Sequence, residues 1–307
     1  MYTEDDKKLT PREVRALARD SKLTTATSAL CPDYVKASLL VLPASYADDF
    51  LRFASWNPEV CPVLEVIREK PLSSFLAPGS NICTDFPRYR IFLNGEVSED
   101  VCEIKALWNL GSVGFLLGCS ASFDGTLLAN GVPVRHVEEQ RAMPIYQTKL
   151  RTCPAGSFRG PVLVSMRPMT QEQAKKAYQL TEHMELVHGA PIQIGAPAEI
   201  GIADLCKPDF GEAVSIRGDE TPVFWSSSAT VQAALRFAKL PLAITNVPGF
   251  PLISDIRNDA LPELFQKEMQ SAFDMYLDMK KSLKSARQIN AALFHSAGSP
   301  GGFLCFP

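Results

Sequence analysis

The 307-residue sequence lacks the motifs of the common nucleotide- and metal-dependent enzymes. It contains no GxGxxG and no P-loop stretch, so nothing supports nucleotide binding. It has no GxSxG nucleophile elbow either, and GCSAS at residues 118–122 resembles one only in composition. His183 and His188 are five residues apart, about 140° around a helix, so they cannot share a helix face as zinc ligands. We therefore predict no metal and no nucleotide cofactor.

Long apolar runs are also missing. No segment approaches the roughly 20 residues that cross a bilayer. The N-terminal stretch MYTEDDKKLTPREVRALARD is polar and partly acidic, which is not typical of a secretory or transit peptide. A formal charge of −3 argues against a nucleic-acid surface. We predict a cytoplasmic protein, in preference to a mitochondrial-matrix one, with no nucleic-acid or membrane partner.

The eight cysteines are dispersed and form no CxxC pair. A disulfide framework belongs to short secreted chains, so this usage indicates a reducing compartment. Most of the thiols are expected to be small buried hydrophobes.

Periodicity predicts a mixed α/β protein. Thr10 and Glu13 form the pattern of a capping box before a first helix, and Asn94-Gly95 is typical of a hairpin turn. Residues 37–43 are expected to form a buried strand and residues 45–58 a helix. Two strand–helix–strand units follow at residues 163–195, with Thr170 as helix cap, and at residues 221–249, which favours α/β layers.

The C-terminal segment has the spacing of an amphipathic helix from Leu261 to about Ala292. Its apolar stripe must be buried, and we expect it to pair between subunits in a homodimer or higher homo-oligomer. The stripe comprises Leu261, Phe265, Met269, Ala272, Tyr276, Met279 and Leu283. The opposite face carries Lys267, Lys280, Lys281, Lys284 and Arg287.

Dense, non-repetitive motifs run through the rest of the chain. Among them are YVKASLLVLP (34–43), TDFPRYR (84–90), FLLGCSASFD (115–124), PVRH (133–136), PAGSFRGPVLVSMRPM (154–169), HGAPIQIGAPAEIGI (188–202), KPDFGEAV (207–214), PVFWSSS (222–228) and AITNVPGFPLISD (243–255). Together, over about residues 10 to 258, they resemble the D-glutamate cyclase family, whose bacterial members carry a hydro-lyase label.

The resemblance implies an α/β fold of two subdomains. A three-layer α/β/α unit would comprise residues 1–150 and 216–260, a two-layer α/β unit residues 151–215, and a C-terminal helical extension residues 261–307. It also implies a carbon–oxygen lyase that needs no cofactor and expels water from a small carboxylic acid, as in the closure of D-glutamate to 5-oxo-D-proline.

Such a reaction needs a carboxylate anchor, a base and a proton donor for the departing oxygen. Arg167 is a candidate anchor, although a structural salt bridge is an equal alternative. His188 is the candidate acid or base, or else a histidine bonded at a strand start. Cys119 is a candidate nucleophile if a helix N-terminus lowers its pKa, and otherwise a packed thiol. We expect Arg167, His188, Cys119 and Asp255 to line one cleft between the subdomains.

The remaining candidates are weighed against structural roles. Tyr146 and Trp225 would wall the pocket or belong to the aromatic core. Arg88 would bind substrate, although Arg88 or Arg90 is expected to pair with Asp85. Gly195 would let backbone amides approach a small acid. The full predicted set is His188, Cys119, Asp255 and Tyr146 as catalytic residues, with Arg167, Arg88, Asn246, Trp225, Ser165 and Gly195 as substrate-binding residues.

The chain departs from the family's usual motifs at four positions. IGDP reads IGAP with Ala196, PMYRT reads PIYQT with Gln147, and ITHAPGH reads ITNVPGF with Asn246 and Phe250. Three functions therefore stay open: an enzyme of the family class, a diverged enzyme whose pocket Ala196 and Phe250 widen for a bulkier, less charged substrate, and a binding protein without catalysis. Turnover of D-glutamate is expected to be weak.

Overall fold

The computed structural model of the protein describes residues 9–23 and 25–275. These residues form eleven β-strands and six α-helices ahead of a C-terminal helix. The helices are α1 (Pro11–Arg19), α2 (Ala47–Trp56), α3 (Asp124–Ala129), α4 (Arg135–Glu138), α5 (Gln171–Thr181) and α6 (Thr230–Ala238). The strands are β1 (Tyr34–Pro43), β2 (Val63–Ile67), β3 (Tyr89–Leu93), β4 (Glu96–Val101), β5 (Ser112–Gly118), β6 (Ile145–Arg151), β7 (Pro161–Thr170), β8 (Gln193–Ile194), β9 (Glu220–Ser226), β10 (Ala243–Asn246) and β11 (Leu252–Arg257).

Seven strands form the larger sheet, in the order β2-β5-β1-β10-β3-β4, with β11 also paired to β1. All of its pairings are antiparallel. Strand β1 lies at the centre of this sheet. The whole of β5 pairs with one edge of β1, while β10 and β11 share the other edge. This arrangement brings the ends of β5 and β10 close to the middle of β1.

Four strands form the smaller sheet, in the order β6-β7-β9-β8, again antiparallel. Strand β7 is buried over nearly its whole length and is followed directly by α5. Helix α5 packs on β7 and β9, and α6 packs on β7 from the segment after β9.

One hydrophobic core cluster lies where α2 and α6 pack against the larger sheet. Phe50 of α2 stacks edge-on against Phe115 of β5, with 4.8 Å between ring centroids, and against Phe158 at 5.5 Å. Offset and edge-on aromatic contacts of this kind stabilise a core beyond the area they bury. The apolar spacing of α2 is explained by this contact.

The fold-class prediction is confirmed, since the protein is mixed α/β with two sheets and a C-terminal helix. The predicted capping box forms at Thr10 with Glu13, and the predicted cap residue Thr170 also forms one, with Gln173. Asn94 has a φ of 51° in the turn between β3 and β4, as the Asn-Gly pair predicts.

The subdomain boundaries at residues 150 and 216 stay a prediction. The chain passes from one sheet to the other at different residues from these. Both β6 and β9 pair with β7, so they belong to the smaller sheet. By compactness the chain divides into residues 1–262 and 263–307. Residues 261–275 are helical, and the rest of the predicted tail helix lies outside the described residues. No helix in the described ranges is long and apolar enough to cross a membrane.

The expectation that most thiols are buried is wrong for the seven cysteines described. Cys31, Cys61 and Cys83 are buried, but the other described cysteines are more accessible. Cys102, Cys153 and Cys206 are exposed, and Cys119 is partly exposed.

Candidate functional site

A small cavity lies among residues of both sheets and the amino end of α6. Its volume is about 50 Å³, against roughly 10–15 Å³ for a single water. Its polar lining consists of neutral groups, and Cys119 is the one ordinarily titratable side chain among the described residues that line it. The polar lining residues are Ser28, Ser38, Cys119, Ser120, Ser227, Ser228, Gln232, Thr245 and Asn246.

The strands place these groups for simple reasons. Ser38 lies in the middle of β1, and Cys119 and Ser120 follow directly after the neighbouring strand β5. Asn246 ends β10 on the other side of β1; its Oδ1 accepts the Leu39 N–H over 2.8 Å and its Nδ2 donates to the Val247 carbonyl. The Asn246 amide therefore holds β1 and the following loop together at the cavity wall.

A chain of hydrogen bonds leads from the cavity into the protein. The Ser120 hydroxyl is 3.1 Å from the Ser165 hydroxyl, and Ser165 accepts a hydrogen bond from Arg167 Nη1 at 3.1 Å. Arg167 Nη2 also donates to the Ser120 carbonyl, at 3.2 Å. The guanidinium thus polarises two hydroxyls, the first of which lies at the cavity.

Arg167 itself is completely buried. Its Nε donates to Asp124 Oδ1 over 2.7 Å, and its guanidinium carbon lies 4.7 Å from the Phe123 ring centre and 5.2 Å from that of Trp225. A buried cation needs such partners because its desolvation is costly. The structural salt bridge considered for Arg167 is present, and Arg167 does not itself line the cavity.

Asp124 is the centre of a buried charge cluster. Its Oδ2 is 3.3 Å from His136 Nε2, and both side chains are almost inaccessible. Burial alone would raise the pKa of Asp124, but Arg167 and His136 outweigh it, so the pKa stays below its usual value. Asp124 therefore remains ionised opposite Arg167.

Cys119 lines the cavity at the start of the three-residue 3₁₀ turn Ser120–Ser122. Burial raises the pKa of its thiol, and contacts with the Ala121 backbone and the Ser38 hydroxyl oppose this only in part. The lowered pKa that a nucleophilic role would require is not found, so Cys119 is a thiol at neutral pH.

His188 ends the 3₁₀ turn Glu185–Val187, which packs against β5, and it does not line the cavity. It has a φ of 89°, and its Nδ1 is 2.8 Å from the Glu59 carbonyl. Burial and, to a smaller extent, the Arg167 charge lower the pKa of His188 to about 4, against the opposing effect of hydrogen bonds to the Glu59 and Gly118 backbone, so the ring is neutral at pH 7. His188 is thus a hydrogen-bonded structural histidine, but it lies at the end of this 3₁₀ turn and not at a strand start, since β8 begins at Gln193.

Asp255 lies apart from the cavity. Its two oxygens accept from Arg15 Nη2 of α1, each at 2.9 Å, and its backbone N–H donates to Leu76. The structure thus brings Cys119 to the cavity and sets Arg167 behind it, but it does not bring Asp255 or His188 into the same cleft.

The arginines of TDFPRYR do not pair with Asp85 as expected. Asp85 is bonded by Arg19 of α1 at 2.6 Å, Arg90 pairs with Asp100 at 2.8 Å, and Arg88 is exposed. Nothing in the sequence indicated this pair, because Arg19 and Asp85 are 66 positions apart along the chain.

The remaining predicted residues occupy structural positions. Tyr146 donates to the Leu205 carbonyl at 2.7 Å, and burial raises its pKa to about 12. Trp225 is buried and donates to Thr181. Gly195 adopts a φ of 69° after β8, and its N–H donates to Pro222, so it serves a turn. Ser165, as described above, links Ser120 to Arg167.

Sequence reasoning missed the buried residues Lys36, Asp124 and His136, whose side chains are ionisable. The last two lie within the motifs FLLGCSASFD and PVRH, but nothing local shows that they meet. Lys36 sits in the apolar strand β1, where its Nζ donates to the Cys31 and Tyr34 carbonyls and burial lowers its pKa. A charged residue inside a buried strand was the available signal for it. Among the described residues, no cluster of acidic, histidine and cysteine side chains could hold a metal ion.

Comparison with known proteins gives a consistent result. The family model described as D-glutamate cyclase matches residues 113–255. A Bacillus licheniformis protein named "Putative hydro-lyase" is 45% identical over 81% of this chain and 95% of its own length. The Bacillus subtilis protein of that name is 45% identical over 83% and 100%, and one from Verminephrobacter eiseniae is 46% identical over 82% and 92%. The chain belongs to the D-glutamate cyclase family.

A solved structure, described as a nitrogen repressor-like protein from Methanococcus jannaschii, also matches. Its identity is 12% and its TM-score 0.33, over 76% of this chain and 91% of that one. This similarity is too low to support an argument about fold or function.

The family's usual motifs can now be placed on the fold. Of the four departures, only Asn246 lines the cavity. Gln147 and Ala196 are exposed, and Phe250 does not line the cavity although both of its neighbours do. Ala196 and Phe250 therefore do not widen this cavity, which corrects the expectation drawn from them.

Proposed function

We propose that the protein is a cofactor-independent carbon–oxygen lyase that removes water from a small carboxylic acid bound in the cavity. The family assignment supports the hydro-lyase class. One observation supports this reaction above all. The Cys119 thiol lines a small cavity beside the hydrogen-bond chain of Ser120, Ser165 and Arg167.

A single titratable group can serve both halves of an elimination. As a thiolate, Cys119 would take the proton from the carbon next to the carboxylate while the carbon–oxygen bond breaks. As a thiol, it would return that proton to the departing hydroxide, which leaves as water. The return is downhill because a thiol is far more acidic than water. The thiolate is regenerated, so no other reactant is consumed.

The hydrogen-bond chain would assist the departing oxygen. The Ser120 hydroxyl can donate to that oxygen while the Ser165 hydroxyl and the Arg167 guanidinium orient and polarise it. In this proposal Arg167 acts through two serines and does not anchor the substrate carboxylate directly.

The cavity also supports a less charged substrate than D-glutamate. No lining residue among those described carries a charge at neutral pH, so an ammonium and two carboxylates would lack oppositely charged side chains. We therefore expect D-glutamate cyclisation to be weak or undetectable. A volume of about 50 Å³ gives no support for a bulkier substrate.

The test is direct. The purified protein is incubated with D-glutamate and with short 3-hydroxy acids, and mass spectrometry follows products lighter by one water. Cys119→Ser is the inactive control and Cys153→Ser, at an exposed cysteine, is the matched active control. Water loss from a hydroxy acid that depends on Cys119 supports the proposal. Binding of acids without any turnover would favour the non-catalytic alternative, and robust formation of 5-oxoproline would restore D-glutamate as substrate.

A further inference from the structure

The amino end of α6 forms one wall of the cavity. Ser228, Ala229, Val231 and Gln232 all line it. The cap position is occupied by Ala229, which offers no side-chain hydrogen bond, and the first turn contains no acidic residue. Helix amino ends normally carry a capping oxygen or a carboxylate, since their N–H groups have no partner one turn earlier and bear partial positive charge.

The N–H groups of this turn make short-range hydrogen bonds within the protein. Those of Thr230, Val231 and Gln232 donate to carbonyls three residues back, and that of Ala229 donates to the Ser227 hydroxyl at 3.3 Å. Three-residue bonds of this kind have poorer geometry than those of an α-helix. An anion in the cavity would therefore meet the partial positive charge at the start of a nine-residue helix whose first turn carries no acidic side chain.

A second observation, on a different element, points to the same ligand. Thr245 of β10 lines the cavity and is only 3% exposed, and its hydroxyl has no hydrogen-bond partner in the described part of the chain. Buried hydroxyls without partners are uncommon because the lost hydrogen bond to water is not replaced. A ligand oxygen would supply the missing partner.

The charge balance limits what that ligand can be. The helix end is a fractional positive charge, and the described residues that line the cavity add no ionised side chain. One carboxylate is matched by the helix end and the Thr245 hydroxyl, whereas a second charge on the ligand would be buried without a counterpart. The cavity volume of about 50 Å³ is roughly four times the 10–15 Å³ that one water needs, which suits a short acid.

We infer that the amino end of α6 and the Thr245 hydroxyl bind the carboxylate of a short monocarboxylic acid whose remaining part is uncharged. The inference deepens the proposed function and rests on it only in calling that acid the substrate. Since Cys119 and Ser120 lie on another wall, the bound carboxylate would leave the rest of the acid facing the thiol.

Binding of propionate tests the inference without requiring turnover. Calorimetry and the ligand-induced shift in unfolding temperature are measured for propionate, for its uncharged analogue propionamide and for D-glutamate. Propionate is expected to bind at least roughly tenfold more tightly than either of the others, since a charge-assisted hydrogen bond is lost with propionamide and unmatched charges are added with D-glutamate.

Thr245→Val is the decisive variant. It removes an unpartnered hydroxyl, so the ligand-free variant should unfold at the same or a higher temperature, while propionate affinity falls by roughly tenfold. Thr148→Val is the matched control, because Thr148 is equally buried but bonded to the Val162 carbonyl and does not line the cavity. It should lower the unfolding temperature and leave propionate affinity unchanged.

The outcomes separate the two proposals. Equal binding of propionate and propionamide, no binding of propionate, or unchanged affinity in Thr245→Val overturns the inference, even if hydroxy acids are dehydrated. Propionate binding that depends on Thr245, in a protein that dehydrates no acid, supports the inference and removes the proposed function.

Discussion

Arg167 Nε donates to Asp124 Oδ1 over 2.7 Å, with both side chains inside the protein. The pair joins β7 of the smaller sheet to the start of α3, and α3 comes after strand β5 of the larger sheet. The same guanidinium bonds Ser165 and the Ser120 carbonyl, so the charge pair positions the segment that presents Ser120 and Cys119 to the cavity.

Asp124→Asn should destabilise the protein strongly. The substitution leaves the Arg167 guanidinium buried without its anion, and breaking a buried pair in this way costs about 3–5 kcal/mol. Urea unfolding at neutral pH gives the free energy of unfolding. Glu103→Gln is the control, since Glu103 and Lys105 form an exposed pair that should contribute at most about 1 kcal/mol. Equal effects of the two substitutions would show that the buried pair does not stabilise the fold.

His188 should make stability depend on pH between about 4 and 6.5. Its folded pKa is about 4, below the ordinary 6.5, so in this window the unfolded chain binds a proton that the folded protein does not. Protonation therefore favours unfolding as the pH falls through 6.5, and the loss reaches about 3 kcal/mol near pH 4. Above pH 6.5 this contribution is constant.

Urea unfolding at pH 7 and at pH 4.5 checks this dependence. His188→Asn, a residue type that tolerates positive φ, should lose distinctly less stability between the two pH values than the unaltered protein. His183→Asn is the control, because His183 is exposed and should leave the dependence unchanged. An unchanged pH dependence in His188→Asn would assign the effect to other groups.

Cys119 should give the reaction an alkaline pH profile. Burial raises the pKa of this thiol, so at neutral pH only a small fraction is the thiolate that the proposed elimination uses. The rate should rise about tenfold for each pH unit until that raised pKa is approached. Two rates are measured from about pH 6 upward: the rate of water loss and the rate of alkylation at Cys119. The two rates should rise together. A rate maximum near neutral pH would exclude Cys119 as the base.

Local features of the fold could be predicted from the sequence. The capping box at Thr10, the helix cap at Thr170 and the turn at Asn94 depend on residues within a few positions of one another, and all three form. The buried strand predicted at residues 37–43 and the helix predicted at 45–58 also appear, with bounds shifted by a few residues, because their apolar patterns match the faces they bury.

The site could be predicted only in part, because its contacts join distant residues. Asp255 appeared free for catalysis, yet Arg15 holds it from 240 positions away. Asp124 went unnoticed as the partner of Arg167, 43 positions on. His188 stood out by its small neighbours, but its left-handed backbone serves a turn in which the ring bonds to Glu59. A motif identifies such residues and does not show which of them face the cavity.

The C-terminal helix should hold subunits together in a homodimer or higher homo-oligomer. Within its described part, Met269 and Phe273 lie one turn apart and are 56% and 54% exposed. Apolar side chains that recur on one helix face usually mark a contact surface, because leaving them in water is unfavourable. Size-exclusion chromatography with light scattering at micromolar concentration should therefore show more than one subunit for the intact chain.

Two double substitutions on this helix separate its apolar face from its polar positions. Replacing Met269 and Phe273 by Gln should yield a folded protein of lower subunit number, because the apolar contact is lost. Replacing Lys267 and Gln270 by Ala removes only exposed pairs with Glu263 and Asp274, so the subunit number should not change. If the intact chain is already a monomer at micromolar concentration, or if both double variants behave alike, the apolar face of this helix is not the subunit contact.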